Sequence, residues 1–158
     1  MKIFLPVDGS AEALAAVEHA VRCVGDGLKA SFVLANVQEP PSLYEVVVVH
    51  DPAALDQVRT AAGVALLGPA EALLEAAGLP FESEVGGGEP GHVLVDLLEN
   101  YGCDAVMMGA RGAGGSTAAL GSVALALLHH SPVPVTVVRP VPTAASEGED
   151  EPEVKVDD

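Results

Sequence analysis

One feature constrains this chain more than any other: short apolar runs alternate with stretches at helical period, and Gly or Pro marks nearly every junction. Lys2–Val7 (KIFLPV) reads as the first strand, and Asp8-Gly9-Ser10 turns the chain. Ser10 suits a helix N-cap, because its hydroxyl can accept from an otherwise unpaired first-turn N–H. Glu12 sits in that first turn, where the helix dipole favours negative charge. The capping box is incomplete, since Ala13 occupies the third helical position. Leu14, Val17, Val21 and Val24 recur at helical spacing until Gly25-Asp26-Gly27 ends the helix. Ala30–Val37 is the second strand, broken by Gln38-Glu39-Pro40-Pro41. Residues 42–51 carry no clear period and read as a loop. A long helix spans Pro52–Ala77, with Gly63, Gly68 and Pro69 as weak points. Phe81–Val85 is a third strand, Gly86–Glu89 a loop, and Pro90 fits the first position of the next helix. Asp104–Met108 is a fourth strand, apolar enough to be buried on both faces. A Gly-rich loop from Gly109 to about Leu120 leads into a helix over Gly121–His130, and Val133–Val138 is the fifth strand. Strands alternating with helices predict an α/β fold, an open doubly wound parallel sheet.

Charge and composition narrow the function classes. Seven Lys and Arg stand against 23 Asp and Glu, a net charge of −16 over 158 residues. Nucleic-acid binding rests on Lys and Arg meeting phosphates, so that class is disfavoured, as is a polybasic membrane anchor. No apolar run approaches the roughly 18 residues of a membrane span. The opening MKIFLPVDGS lacks the features of a signal peptide. Two cysteines, Cys23 and Cys103, read as free thiols in a reducing cytosol, so the expected location is cytoplasmic. The composition shifts after Arg139. Residues 140–158 (PVPTAASEGEDEPEVKVDD) hold one Lys and seven acids and have no apolar period. They read as a disordered acidic tail, leaving residues 1–139 as the folded domain.

Two places carry chemistry. The first runs from Met107 and Met108 through Gly109, Arg111, Gly112 and Gly121 to Ser122. It leaves a buried strand, crosses a Gly-rich loop and enters a helix. Unpaired N–H groups and the dipole make a helix start a phosphate site, and glycines let the main chain approach the oxygens. Ser122 can add a hydroxyl. Arg111 is the sole Lys or Arg between Arg59 and Arg139. The plainer alternative is a crossover loop. A Walker loop is excluded, because no Lys occurs between Lys29 and Lys155. The second place is Pro6-Val7-Asp8-Gly9, at the end of the first strand. Ligands of doubly wound sheets sit outside the carboxyl ends of the strands, where the strand order reverses. With the order 3-2-1-4-5, Asp8 would face the Gly109 loop and accept hydrogen bonds from a base or sugar. Asp8 is the only acid foreseen near this site.

Other signals are weaker. Gly86, Gly88 and Gly91 spell G-x-G-x-x-G between a strand and a helix. Glu89 lies inside that motif and would repel a pyrophosphate, so a tight turn is the better reading. His129 and His130 are adjacent, point about 100° apart on a helix, and cannot clamp one metal. No G-x-S-x-G and no Ser-His-Asp set is present. Met107 and Met108 read as core, with one of them available to line an apolar pocket.

Together these segments resemble the universal stress protein family. The resemblance rests on IFLPVDGSAEA, on VGGGEPGHVLVDLLENYGCDAVMMGARG and on GSVALALLHHSPVPVTVVRP, and it covers residues 1–139. It implies a flavodoxin-like five-stranded sheet, akin to adenine nucleotide alpha hydrolases, in the order 3-2-1-4-5. It also implies a homodimer paired through the last strand, Val133–Val138. The family's nucleotide-binding branch carries Gly, two residues, Gly, nine residues, then Gly-Ser or Gly-Thr. Gly109, Gly112 and Gly121-Ser122 match, with only eight residues between Gly112 and Gly121. The basic residues that members often carry in or after that loop are missing here. The resemblance implies base and ribose contacts from Val7, Asp8, Val37 and Met108. It implies phosphate contacts from Gly109, Gly112, Gly121, Ser122 and Val123; Arg111 is added on charge alone. The expected ligand is ATP with Mg²⁺, in a stress-response regulator. A nucleotide-free dimeric interaction module of the same fold is the alternative, and a slow ATP hydrolase a third reading.

Overall fold

The computed structural model describes residues 1–112 and 120–141. Residues 113–119 of the Gly-rich loop and all but the first two residues of the acidic tail lie outside them. Ten elements follow in order: β1 (Lys2–Pro6), α1 (Ala11–Gly25), β2 (Ser31–Gln38), α2 (Leu43–Val48), α3 (Pro52–Ala76), β3 (Phe81–Gly87), α4 (Pro90–Asn100), β4 (Ala105–Gly109), α5 (Ser122–His130) and β5 (Val135–Val138). The strands form one parallel sheet in the order β3-β2-β1-β4-β5. The strand reversal therefore falls between β1 and β4, the order that the resemblance implies.

Side chains alternate across the pleat, so each central strand feeds two cores. Ile3, Leu5, Phe32 and Leu34 pack under α1 and α3, against Val17, Leu67 and Leu74. Phe4, Val33, Ala35 and Val106 pack on the other face under α4 and α5, against Leu94, Leu98 and Leu127. Phe4 and Phe32 are the largest fully buried side chains in an otherwise aliphatic interior.

Three elements differ from the sequence expectation. Residues 43–48 form a helix rather than a loop. The Ser42 hydroxyl accepts from the Glu45 N–H, and the Glu45 carboxylate accepts from the Ser42 N–H. This capping box outweighs the extended preference of the valine run Val46–Val49, three of whose residues lie in the helix. β3 continues through Gly86 and Gly87, which pair with Val37 and Gln38, so the turn begins at Gly88. β5 starts at Val135 rather than Val133. In α3 the expected weak points do not interrupt the helix. A Cβ at Gly63 would lie 2.5 Å from Val85 Cγ1, so glycine there lets the helix approach β3 closely.

Candidate functional site

The site is built at the carboxyl ends of β1, β2 and β4. Val7 continues the β1–β2 ladder, its N–H donating to the Ala35 carbonyl at 2.8 Å. Buried Asn36 then joins the two strand ends. Its Nδ2 donates to the Val7 carbonyl at 2.8 Å, and its Oδ1 accepts from Gln38 Nε2 at 2.7 Å. These bonds fix the backbone from which Asp8 projects. Asp8 Oδ1 accepts the Ser10 N–H at 2.9 Å, and the Ser10 hydroxyl caps α1 through the Ala13 N–H at 3.1 Å.

Across the switch point, β4 ends at Gly109. A Cβ there would lie 2.8 Å from the Glu12 carbonyl carbon, so α1 requires glycine. At Gly112 a Cβ would lie 2.5 Å from Asp8 Oδ2, which brings the first strand's turn against the loop. The far end of the loop returns to its start, as the Gly121 N–H donates to the Ala110 carbonyl at 2.9 Å. A Cβ on Gly121 would meet Arg111 Cα at 3.4 Å and the Gly112 nitrogen at 3.5 Å. These are contacts that an alanine tolerates.

Between these walls lies a cleft of about 480 Å³, within the ~300–1,000 Å³ span of small-molecule sites. All eleven residues singled out in the sequence line it: Pro6, Val7, Asp8, Val37, Met108, Gly109, Arg111, Gly112, Gly121, Ser122 and Val123. Sequence reasoning missed Ala13, Ala35, Asn36, Glu39, Pro90, Leu94 and Ala124, which line it too. Only Asn36 left a signal, as a lone amide inside the apolar strand ASFVLANV. Val7, Ala35, Leu94 and Met108 make a buried apolar floor. Met107 instead packs into the core beneath α1 and α3.

The start of α5 opens into this cleft through Ser122, Val123 and Ala124. Its N-cap is Gly121, which offers no side-chain oxygen to the first turn. The other four helices are capped by side chains: α1 by Ser10, α2 by Ser42, α3 by Asp51 and α4 by Glu89. Glu89 is thus a cap, its carboxylate accepting from the Gly91 and His92 N–H groups at 3.1 and 2.8 Å. Those bonds hold its pKa below 4.5.

Two charge expectations meet partners that the sequence did not show. Arg111 does line the cleft, but its guanidinium is held by Glu12. Arg111 Nε donates to Glu12 Oε1 at 2.8 Å, a terminal nitrogen lies 2.6 Å from the same oxygen, and the Arg111 N–H donates to Oε2 at 2.8 Å. Glu12 is therefore a partner of the loop as well as a first-turn acid. Asp8 is also not the only acid nearby, because Glu39 lines the cleft and Glu12 borders it.

Little else offers chemistry. Cys103 is buried, which pushes its thiol up to about 11. Cys23 Sγ lies 3.5 Å from His19 Nε2 on the outer turn of α1. Among the described residues, no three His, Cys, Asp or Glu side chains come together to hold a metal, and no helix is long and apolar enough to cross a membrane.

Comparison with known proteins places this geometry. A model of the universal stress protein family matches residues 1–139. The universal stress protein UspA from Lactobacillus plantarum is 25% identical, with 88% of this chain and 97% of that chain covered and a TM-score of 0.65. A universal stress protein solved in complex with cAMP is 26% identical, with 88% and 97% covered and a TM-score of 0.66. A family protein from Arabidopsis thaliana with AMP bound is 18% identical, with 87% and 90% covered and a TM-score of 0.62; this last likeness shows the fold. No curated protein sequence matches the chain.

Proposed function

This chain belongs to the universal stress protein family, and from that premise we propose that its cleft binds ATP with Mg²⁺, making the protein a nucleotide-dependent stress-response regulator. The observation that carries the reading is the uncapped start of α5, which opens into a cleft with an apolar floor. Unpaired amides and the dipole favour a phosphate there. Val7, Val37 and Met108 flank the base, and Asp8 accepts from ribose hydroxyls or the base edge. The amides of Ser122, Val123 and Ala124 donate to phosphate oxygens, with the Ser122 hydroxyl beside them. The cAMP complex of a relative 26% identical supports an adenine nucleotide as the ligand class. The described residues offer no cluster of metal ligands, so Mg²⁺ would be held by the phosphates, where it commonly binds. Hydrolysis needs a placed base or water-orienting group. Asp8 is used on the ribose or base in this reading, with one oxygen already bonded to the Ser10 N–H, which favours a binding role over turnover.

β5 is the terminal strand of the sheet on its side. A bare aliphatic edge invites pairing, so a second copy joined through Val135–Val138 completes the proposal. A cytoplasmic location fits two free thiols, Cys103 being buried.

Calorimetric titration of nucleotide-stripped protein tests the reading. Saturable Mg-ATP binding, with GTP weaker, is the expected result. Absence of binding by any adenine nucleotide would leave the nucleotide-free dimeric module as the account, with a melting temperature that ignores ATP.

A further inference from the structure

The charges around the cleft carry a consequence for which nucleotide it accepts. Two carboxylates, Asp8 and Glu39, line the cleft together with one guanidinium, that of Arg111, and a third, Glu12, pairs with it. Pairing among them redistributes charge without changing its total, which is negative. From Gly112 to Leu128 the sequence holds no Asp, Glu, Lys or Arg, so the rest of the loop and α5 add no cation. Glu12 binds Arg111 in two ways. Its Oε1 pairs with the guanidinium at 2.6–2.8 Å and its Oε2 accepts the backbone N–H at 2.8 Å. The Glu12 and Arg111 side chains are only 16% and 20% exposed, so solvent screens this pair less than a surface pair.

We propose that Glu12 is a specificity-determining residue that withholds Arg111 from the phosphates, so the cleft selects nucleotides by charge. It accepts a singly charged cyclic nucleotide or a triphosphate whose charge Mg²⁺ has halved, and disfavours the metal-free triphosphate. Glu12 acts through Arg111 and needs no contact with the ligand. The α5 amides supply partial positive charge suited to one phosphate group. Each further ligand charge meets the local carboxylates, at a cost of about tenfold in affinity per charge when salt is low. This inference rests on the nucleotide reading of the cleft.

The test is a charge series on the full chain: adenosine, cAMP, AMP and ATP in EDTA, and ATP with Mg²⁺, each at low and high salt. Affinity relative to adenosine should fall from cAMP to metal-free ATP, recover with Mg²⁺, and fall less steeply at high salt. In Glu12→Gln the amide oxygen can still accept a hydrogen bond while the charge is gone. The ratio of metal-free ATP affinity to adenosine affinity should then rise about tenfold. A merely structural role for Glu12 would weaken all ligands alike and leave that ratio unmoved. If Glu12→Gln does not fold, the wild-type series and its salt dependence still decide. Wild type that binds adenosine and cAMP but takes metal-free ATP as tightly at both salts overturns the charge inference alone. Wild type that binds none of the five ligands overturns the nucleotide reading and this inference with it.

Discussion

Two Gly-rich turns carry the chain from strand to helix at the same end of the sheet, and they are built to opposite ends. After β3, Gly88 leads into α4, and Glu89 folds its carboxylate onto the first two free amides. After β4, the loop reaches α5 through Gly121, which brings no side-chain cap. The first turn has the better motif on paper, since Gly86, Gly88 and Gly91 match the dinucleotide pattern. The second brings a helix start without a side-chain cap to the cleft, where the first brings the capped one at Pro90. Glycine content therefore does not identify an anion site. What decides is whether the chain has already satisfied the helix start with a carboxylate of its own.

The contrast can be broken at several points. The largest effect should come from Gly109→Ala, which places a methyl 2.8 Å from the α1 backbone at Glu12. Overpacking against main chain costs about 1–3 kcal/mol, read as a drop in denaturant midpoint. Gly87→Ala, at the end of β3 just before the other turn, meets nothing within 4 Å and should stay within about 0.5 kcal/mol of wild type. Equal losses at the two positions would refute this assignment of the glycines.

Gly121→Val should act on binding instead. Its Cβ has ordinary contacts with the Ala110–Gly112 main chain, and Gly121 lines the cleft, so a branched side chain there should crowd a phosphate at the α5 start. Mg-ATP affinity should fall more than tenfold with little change in melting temperature. Undiminished affinity would remove the phosphate from the α5 start.

Removing a cap is smaller. Ser10→Ala deletes the bond to the Ala13 amide and should cost about 1 kcal/mol in unfolding free energy. The subtlest effect is the pH dependence of the α4 turn. The His92 and Gly91 amides hold Glu89 below its ordinary 4.5. Its contribution is therefore complete above that value and lost as pH falls through the lower folded value. Melting curves of wild type and Glu89→Gln should converge as pH drops from 6 to 3. A constant gap would show that the carboxylate charge is not what caps α4.

The sequence made the sheet and its switch point legible, because period and breakers are local signals. β1 through β5 follow from short apolar runs, and the strand order follows from the crossovers and the resemblance together. Helix α2 was hidden because Val46–Val49 favour extension, although Ser42 and Glu45 form a capping box in plain view. The cleft residues were legible where they sit at strand ends or glycines. Glu12 was seen only as a dipole partner, since its bond to Arg111 spans 99 positions and no local rule reaches that far. Glu39, Pro90 and Leu94 enter the cleft through tertiary packing alone. Their own neighbourhoods read as a strand break and a helix face.

Amide-resolved NMR during titration with Mg-ATP tests the central claim most directly. The account predicts that the Ser122, Val123 and Ala124 amides shift and gain exchange protection, while those of Gly91 and His92 stay where they are. Movement at the α4 amides with none at α5 would contradict it.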